Sequence, residues 1–304
     1  MTTGLVLAAA MLLDAVWGEP AWLWRRVPHP AVLMGRLIAE CDRRFNHAMQ
    51  RRAKGVAVVG MLILLAGMLG WVLGQLGSGV EAVVAAILLA QRSLVQHVRA
   101  VADGLRLSVS QGRRAVAMIV SRDTAQMQPP AIVRSAIESA AENLSDGVVA
   151  PALWFLIGGL PGLLIYKVIN TADSMIGYRT PQYAEFGWAA ARADDLLNLV
   201  PARVTALLIA VPGGVVGTWL AIRTDARRHR SPNAGWPEAA MARAIDVALA
   251  GPRAYDGVMQ NFDWVHENGT QDGTPADIDA AIARLWQAWA MLLCLAALIG
   301  ILTT

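Results

Sequence analysis

Stretches without a charged residue recur along the chain at 1–13, 55–80, 147–166, 204–222 and 285–304. A helix needs about 20 predominantly apolar residues to cross the hydrocarbon core of a bilayer. Gly55–Val80 exceeds that length, and the last run, through Trp289-Ala290-Met291-Leu292-Leu293-Cys294-Leu295, reaches it, so both predict transmembrane helices. The first run is shorter, lacks a basic segment before it and is stopped by Asp14. It reads as a membrane helix or half-helix rather than a cleaved signal peptide. Ala82 to Gln91 is short too, yet it extends through Glu81 or Arg92 and would return the chain after Val80 as a helical hairpin. The runs 147–166 and 204–222 are interrupted at their middles by Gly158-Gly159-Leu160-Pro161-Gly162 and Pro212-Gly213-Gly214. Proline removes a backbone donor, so these runs predict broken or re-entrant membrane helices, a device that lines sites inside bilayers. Ordinary kinked spans are the alternative.

The expected fold class is therefore all-α: a multi-pass integral membrane protein with helical hairpins and membrane helices broken by Gly and Pro. One membrane domain is expected over 1–304, with N-terminal helices and a basic cytoplasmic loop in 1–101 and a motif-rich core in 102–222. A cytoplasmic segment over 223–284 and a C-terminal transmembrane helix over 285–304 complete it. Residues 266–279, with Gly269, Gly273 and Pro275, read as a solvated loop.

Composition supports the membrane assignment: 56% of residues are hydrophobic and 16% charged, against roughly 25% charged in an average soluble domain. The 26 basic and 23 acidic residues leave a net charge of +3, too small and too dispersed for a nucleic-acid partner. All the cations but Lys54 and Lys167 are arginines. Cys41 and Cys294 stand far apart, with no CxxC and no HExxH, so neither structural zinc nor a disulfide framework is expected. Eight of the cations lie between Asp14 and Lys54, which places that segment on the cytoplasmic side. Full crossings at every run would put 167–203 outside; re-entrant runs would keep it inside.

Candidate chemistry concentrates between Arg122 and Arg203. Arg134, Glu138, Glu142 and Asp146 follow one another at i, i+4, i+8 and i+12, with Ser135, Ser139 and Asn143 on the neighbouring stripe. Like charges at i, i+4 repel, so three acids in one column call for a counter-cation such as Arg134 or a divalent metal. A solvated helix face is the bland alternative. Lys167, Asn170 and Asp173 share a face further on, and Asp194 and Asn198 stand at i, i+4 beside Asp195, with Pro201 opening the next run. Carboxylate and amide oxygens suit Mg²⁺, while Lys and Arg suit the phosphates it carries. Together these clusters point to a metal–phosphate site. No P-loop and no GxGxxG is present, so a nucleotide would be held in some other way.

At these residues the chain resembles the adenosylcobinamide-phosphate synthase family of cobalamin biosynthesis, the CobD/CbiB type, and the likeness covers nearly the whole sequence. The matching motifs are Asp14 to Pro20, Pro28-His29-Pro30 with Gly35, Arg122-Asp123-Thr124, and Glu138 to Pro151. Tyr166-Lys167, Asn170 to Tyr178, Phe186-Gly187, Asp194-Asp195 with Asn198, Pro201-Ala202-Arg203 and Ser231-Pro232-Asn233-Ala234-Gly235 continue it in order. Glu19 stands where the family usually has Asp, which keeps the charge. The resemblance implies an amide ligase using ATP and Mg²⁺ that joins aminopropanol or its phosphate to a propionate carboxylate of adenosylcobyric acid. It implies an inner-membrane location with a cytoplasmic active site, and as further partners the lipid bilayer, other membrane-associated cobalamin-assembly enzymes and a second copy of the chain. With the clusters above, it makes Glu138, Glu142, Asp173, Asp194 and Asp195 the candidate catalytic residues. Lys167, Arg179, Arg203, Asn143, Asn198 and Asn233 become candidates for binding nucleotide and phosphate, and Glu142, Asp146, Asn170 and Asp173 for the metal. One joint site is expected from Glu138, Glu142, Asp146, Asn170 and Asp173. A Mg²⁺-dependent intramembrane prenyl- or alcohol-phosphate transferase would use the same residues with a lipid substrate. A transporter or scaffold would explain the broken helices but not the acids.

Overall fold

A computed structural model describes residues 1–47, 49–255 and 258–304. The helices begin with α1 (Thr3–Trp17), α2 (Ala21–Trp24), α3 (Pro30–Phe45), α4 (Arg51–Gly74) and α5 (Ser78–Leu88). They continue with α6 (Gln91–Leu107), α7 (Val109–Val116), α8 (Pro129–Leu144), α9 (Ala150–Ile176), α10 (Trp188–Leu197) and α11 (Leu199–Ala210). Then come α12 (Trp219–Ala226), α13 (Gly235–Ala244) and α14 (Pro275–Leu302). A π-helical turn, Ser145–Val149, joins α8 to α9. Four short strands lie between α13 and α14: β1 (Leu249–Ala250) pairs with β4 (Trp264–Val265), and β2 (Arg253–Tyr255) with β3 (Val258–Gln260), both antiparallel. The chain is thus the expected all-α, multi-pass membrane protein. Among the described residues, Arg51–Gly74, Ser78–Leu107, Pro129–Ile176 and Pro275–Leu302 are long and apolar enough to cross a membrane.

Two compact units share the chain. The first comprises Met1–Ala90, Ala150–Asn198 and Leu293–Thr304, and the second Gln91–Val149 and Leu199–Leu292. In the first unit α4 carries an outward apolar surface, with Leu64 74% and Trp71 61% exposed, as suits contact with lipid tails. Its expected extent to Val80 is cut at Gly74, because Gly77 adopts φ +102° and starts α5. α1 packs against the end of α14 with backbones almost touching: a Cβ on Gly4 would meet Gly300 N at 2.5 Å. Small residues allow that approach where lipid supplies no hydrophobic drive between helices.

α9 is broken as its sequence predicts. Gly159 adopts φ +59°, ψ −152°, a region open to glycine, and Pro161 follows two residues later. The two halves fold sharply on each other: a Cβ on Gly162 would sit 2.3 Å from the Trp154 carbonyl. A straight helix would separate residues eight apart by about 12 Å. The break packs on α4, since a Cβ on Gly70 would stand 2.5 Å from Pro161 N while Gly67 faces Ile165. Those two pairings run in opposite directions, so α4 and the second half of α9 are antiparallel.

In the second unit α6 presents Leu94, Val95, Val98, Val101 and Ala102 inward at helical spacing. The run 204–222 is also broken as expected. α11 ends at Ala210, Gly214 takes φ +71°, and a 3₁₀ turn over Val216–Thr218 leads into α12. The last part of the expected loop 266–279 is instead helical, because α14 starts at Pro275, where proline's fixed φ suits a first helical position.

Candidate functional site

The acidic column on α8 is buried at Glu138 and exposed at Glu142. Glu138 is 2% exposed, and Ser135 and Ser139 beside it are buried. Its fourth member leaves the column, since Asp146 falls on the π turn, whose wider winding displaces it from α-helical register. Glu138 is a hub. Its Oε2 accepts from Arg122 Nη2 at 3.0 Å and Arg253 Nη1 at 3.1 Å, and its Oε1 accepts from the backbone N–H of Ala250 at 2.7 Å. Ala250 holds φ +58°, a conformation an alanine rarely adopts, and so aims that N–H at the carboxylate.

Above this hub lies a cavity of about 300 Å³ within the second unit. Arg122, Arg228, Arg230 and Arg253 line one part of its wall, and Glu142, Asn143 and Glu238 another. Phe262 underlies two of the arginines: the guanidinium carbons of Arg230 and Arg253 lie 4.5 and 4.9 Å from its ring centre. Arg230 also donates to Gln260 Oε1 at 3.0 Å. Asp225, likewise on the wall, is tied to Arg243 at 2.7 Å and to the backbone N–H of His266 at 3.0 Å.

Glu238, on α13, is 4% exposed, and among the described residues its Oε2 has no hydrogen-bond partner. Burial raises its pKa well above the usual carboxylate range, and the neighbouring Glu138 and Glu142 charges push the same way. His229 Nε2 lies 3.7 Å from Glu238 Oε1. His229 Nδ1 lies 3.0 Å from the Ser231 backbone N–H and 3.3 Å from the Ser231 carbonyl oxygen. Burial lowers the pKa of this histidine, so it is neutral at neutral pH.

The Ser231–Gly235 loop runs from Arg230 on this wall into α13. Ser231 Oγ accepts from the N–H groups of Asn233 and Ala234, and a Cβ on Gly235 would meet the Ala226 carbonyl at 2.7 Å. Arg203 and Asn233, both expected to bind nucleotide, are joined to each other, Nη1 to Oδ1 at 2.7 Å. Arg203 also donates to Pro232 O and stacks 4.8 Å from the Trp236 ring. Their geometry anchors the loop.

The other predicted residues belong to the first unit. Tyr166 donates to Asn198 Oδ1 at 3.0 Å, Asn198 to Asp194 Oδ2 at 3.0 Å, and Asn170 to Asp194 Oδ1 at 3.1 Å. This chain of bonds ties α10 to α9, and burial raises the Asp194 pKa despite the two amide donors. Asp173 lies against Gly177, where a Cβ would collide with its carboxylate. Lys167 is half-buried on α9, Asp195 stands 3.8 Å from Arg192, and Arg179 is exposed on the loop after α9. Thus Glu142 and Asn143 line one cavity, Glu138 is bonded to two of its arginines, and Asn170, Asp194 and Asn198 form one network.

Sequence reasoning did not single out Arg228, His229, Arg230, Glu238 and Arg253. The signal available was the run Arg227-Arg228-His229-Arg230, which leads directly into Ser231. Among the described residues no three His, Cys, Asp or Glu side chains are grouped to enclose a metal ion by themselves. A Mg²⁺ arriving with phosphates needs only one or two carboxylates, and the adjacent Glu142 and Asn143 supply oxygens of that kind.

Fold and site together define a multi-pass helical membrane protein with an arginine-walled polar cavity above buried glutamates. The chain matches the family described as CobD/Cbib protein over residues 7–285 and belongs to it. It is 48% identical to the cobalamin biosynthesis protein CobD of Sinorhizobium sp, over 93% of this chain and 94% of that one. The CobD of Rhizobium meliloti (strain 1021) is 49% identical over 93% of each chain, and that of Rhodobacter capsulatus 44% over 99% of each. No solved structure matches. The protein is an enzyme of cobalamin biosynthesis.

Proposed function

We propose that this enzyme is an ATP-dependent amide ligase that joins aminopropanol or its phosphate to a propionate carboxylate of adenosylcobyric acid, working on the cytoplasmic side of the cell membrane. The observation that carries this reading is the placement of Arg122, Arg228, Arg230 and Arg253 around one cavity beside Glu142 and Asn143. A carboxylate does not condense with an amine at neutral pH, because its oxygen is a poor leaving group. Transfer of the ATP γ-phosphoryl to that oxygen gives an acyl phosphate and ADP. Attack of the amine nitrogen then forms the C–N bond and expels inorganic phosphate.

Guanidinium groups fixed before the reaction stabilise the charge on the transferring phosphoryl without reorganising. Glu138 holds Arg122 and Arg253 in place, and Phe262 stacks beneath Arg230 and Arg253. Glu142 and Asn143 would hold a Mg²⁺, which when bound neutralises phosphate charge.

The test is direct. Purified protein given cobyric acid, ATP, Mg²⁺ and either amine should yield the amide, seen by mass, and one ADP per product. Product formed without ATP, or none with it, would sink the reading. Loss of one charge-assisted contact costs about 1.5 to 3 kcal/mol, so Arg230→Met should raise the KM for ATP tenfold or more.

A further inference from the structure

Nothing above says where the proton of the amine goes. An alkyl ammonium, like the lysine side chain, keeps its proton to about pH 10, and in that form its nitrogen has no electron pair to attack with. The enzyme therefore has to accept one proton before the C–N bond forms. The cavity wall carries one group built for this. Glu238 is buried, its Oε2 has no hydrogen-bond partner among the described residues, and it lines the same cavity as the four arginines. A buried carboxyl oxygen left unpaired costs free energy in the empty protein, and a docked N–H would satisfy it.

We propose that Glu238 is the residue that receives the ammonium group of the amine substrate and takes its proton, an assignment that rests on the ligase reading. The ammonium charge docked beside it holds Glu238 as the carboxylate against the effect of burial, and one proton then passes from nitrogen to Oε2. The freed electron pair attacks the acyl carbon, the C–O bond to phosphate breaks, and the second nitrogen proton leaves with the phosphate. The charged groups that face Glu238 are Glu138 and Glu142 from α8, Arg122 from the segment after α7, Arg253 from β2 and His229 from the turn after α12. His229 Nε2 stands 3.7 Å from Oε1, the carboxyl oxygen other than the one left to the substrate.

Hydroxylamine separates the two half-reactions, because it is already unprotonated near neutral pH and captures an acyl phosphate as a hydroxamate without a base. Glu238→Gln should form hydroxamate from cobyric acid, ATP and Mg²⁺ within about threefold of wild type. Its amide formation at neutral pH should fall a hundredfold or more, the range of a lost general base. The amide defect should then shrink about tenfold per pH unit as the amine loses its own proton. Amide formation at the wild-type rate overturns the assignment, as does equal loss of amide and hydroxamate. Should the variant not fold, the wild-type profile decides: kcat/KM for the amine must level off well below the amine's pKa, and a rise continuing to that pKa overturns the proposal. Absence of hydroxamate from the wild-type reaction removes the ligase reading and this assignment with it, whereas the preceding outcomes remove this assignment alone.

Discussion

Glu138 and Glu142 are one helical turn apart and identical in chemistry, yet their surroundings give them opposite parts. Glu138 is buried between Arg122 and Arg253, whose side chains are 15% and 13% exposed, and Glu142 is exposed at the cavity. Breaking a buried ion pair by removing one partner costs about 3 to 5 kcal/mol, because the other charge is left uncompensated. Glu138→Gln should therefore unfold at clearly lower temperature or denaturant than wild type, and Glu142→Gln should not. Equal melting of the two variants in detergent would show that the hub does not hold the cavity together. The acids on α8 were legible in sequence because helical spacing of 3.6 residues lines them up. Arg253 and Glu238 were not, since they reach Glu138 across 115 and 100 positions by tertiary packing that no local period records.

At the scale of elements, glycine and proline were the most legible signals. Gly158 to Gly162 and Pro212 to Gly214 both mark breaks, for the reason that backbone sterics act within a few residues. The π turn was not legible, because an extra residue in a helical turn leaves the side-chain sequence looking α-helical through Asp146. The break in α9 carries a consequence for stability. Gly159 sits where a Cβ is strained by about 1 to 3 kcal/mol, and its nearest contact, Pro161 Cδ at 3.7 Å, is an ordinary van der Waals distance that leaves conformation as the only cost. Gly158, just before it, is not among the positive-φ glycines, and a Cβ there would meet nothing within 4 Å. Gly159→Ala should accordingly lower stability by that amount, and Gly158→Ala should leave it unchanged or raise it. Denaturation of both variants in the same detergent checks this, and equal effects would argue against a fixed turn at Gly159.

Over the whole molecule, the membrane class was readable from composition alone, and the division into two interleaved units was not. Each unit is assembled from separate stretches of chain, and α14 contributes to both. The preference for one kind of cation also belongs to this scale. Arginine supplies all the basic groups of the cavity apart from His229, and neither lysine lines it. Phenylglyoxal, which modifies guanidinium groups, should abolish ATP binding, and an amine-directed acylating reagent should spare it; the reverse result would count against the arginine wall. An acyl phosphate is itself an acylating agent, and a lysine at its side would be consumed by it. Guanidinium stays protonated at every working pH and has no free electron pair to offer. In the proposed reaction an arginine wall would thus keep the activated carboxyl for the incoming amine, where a lysine wall would be acylated at each turnover.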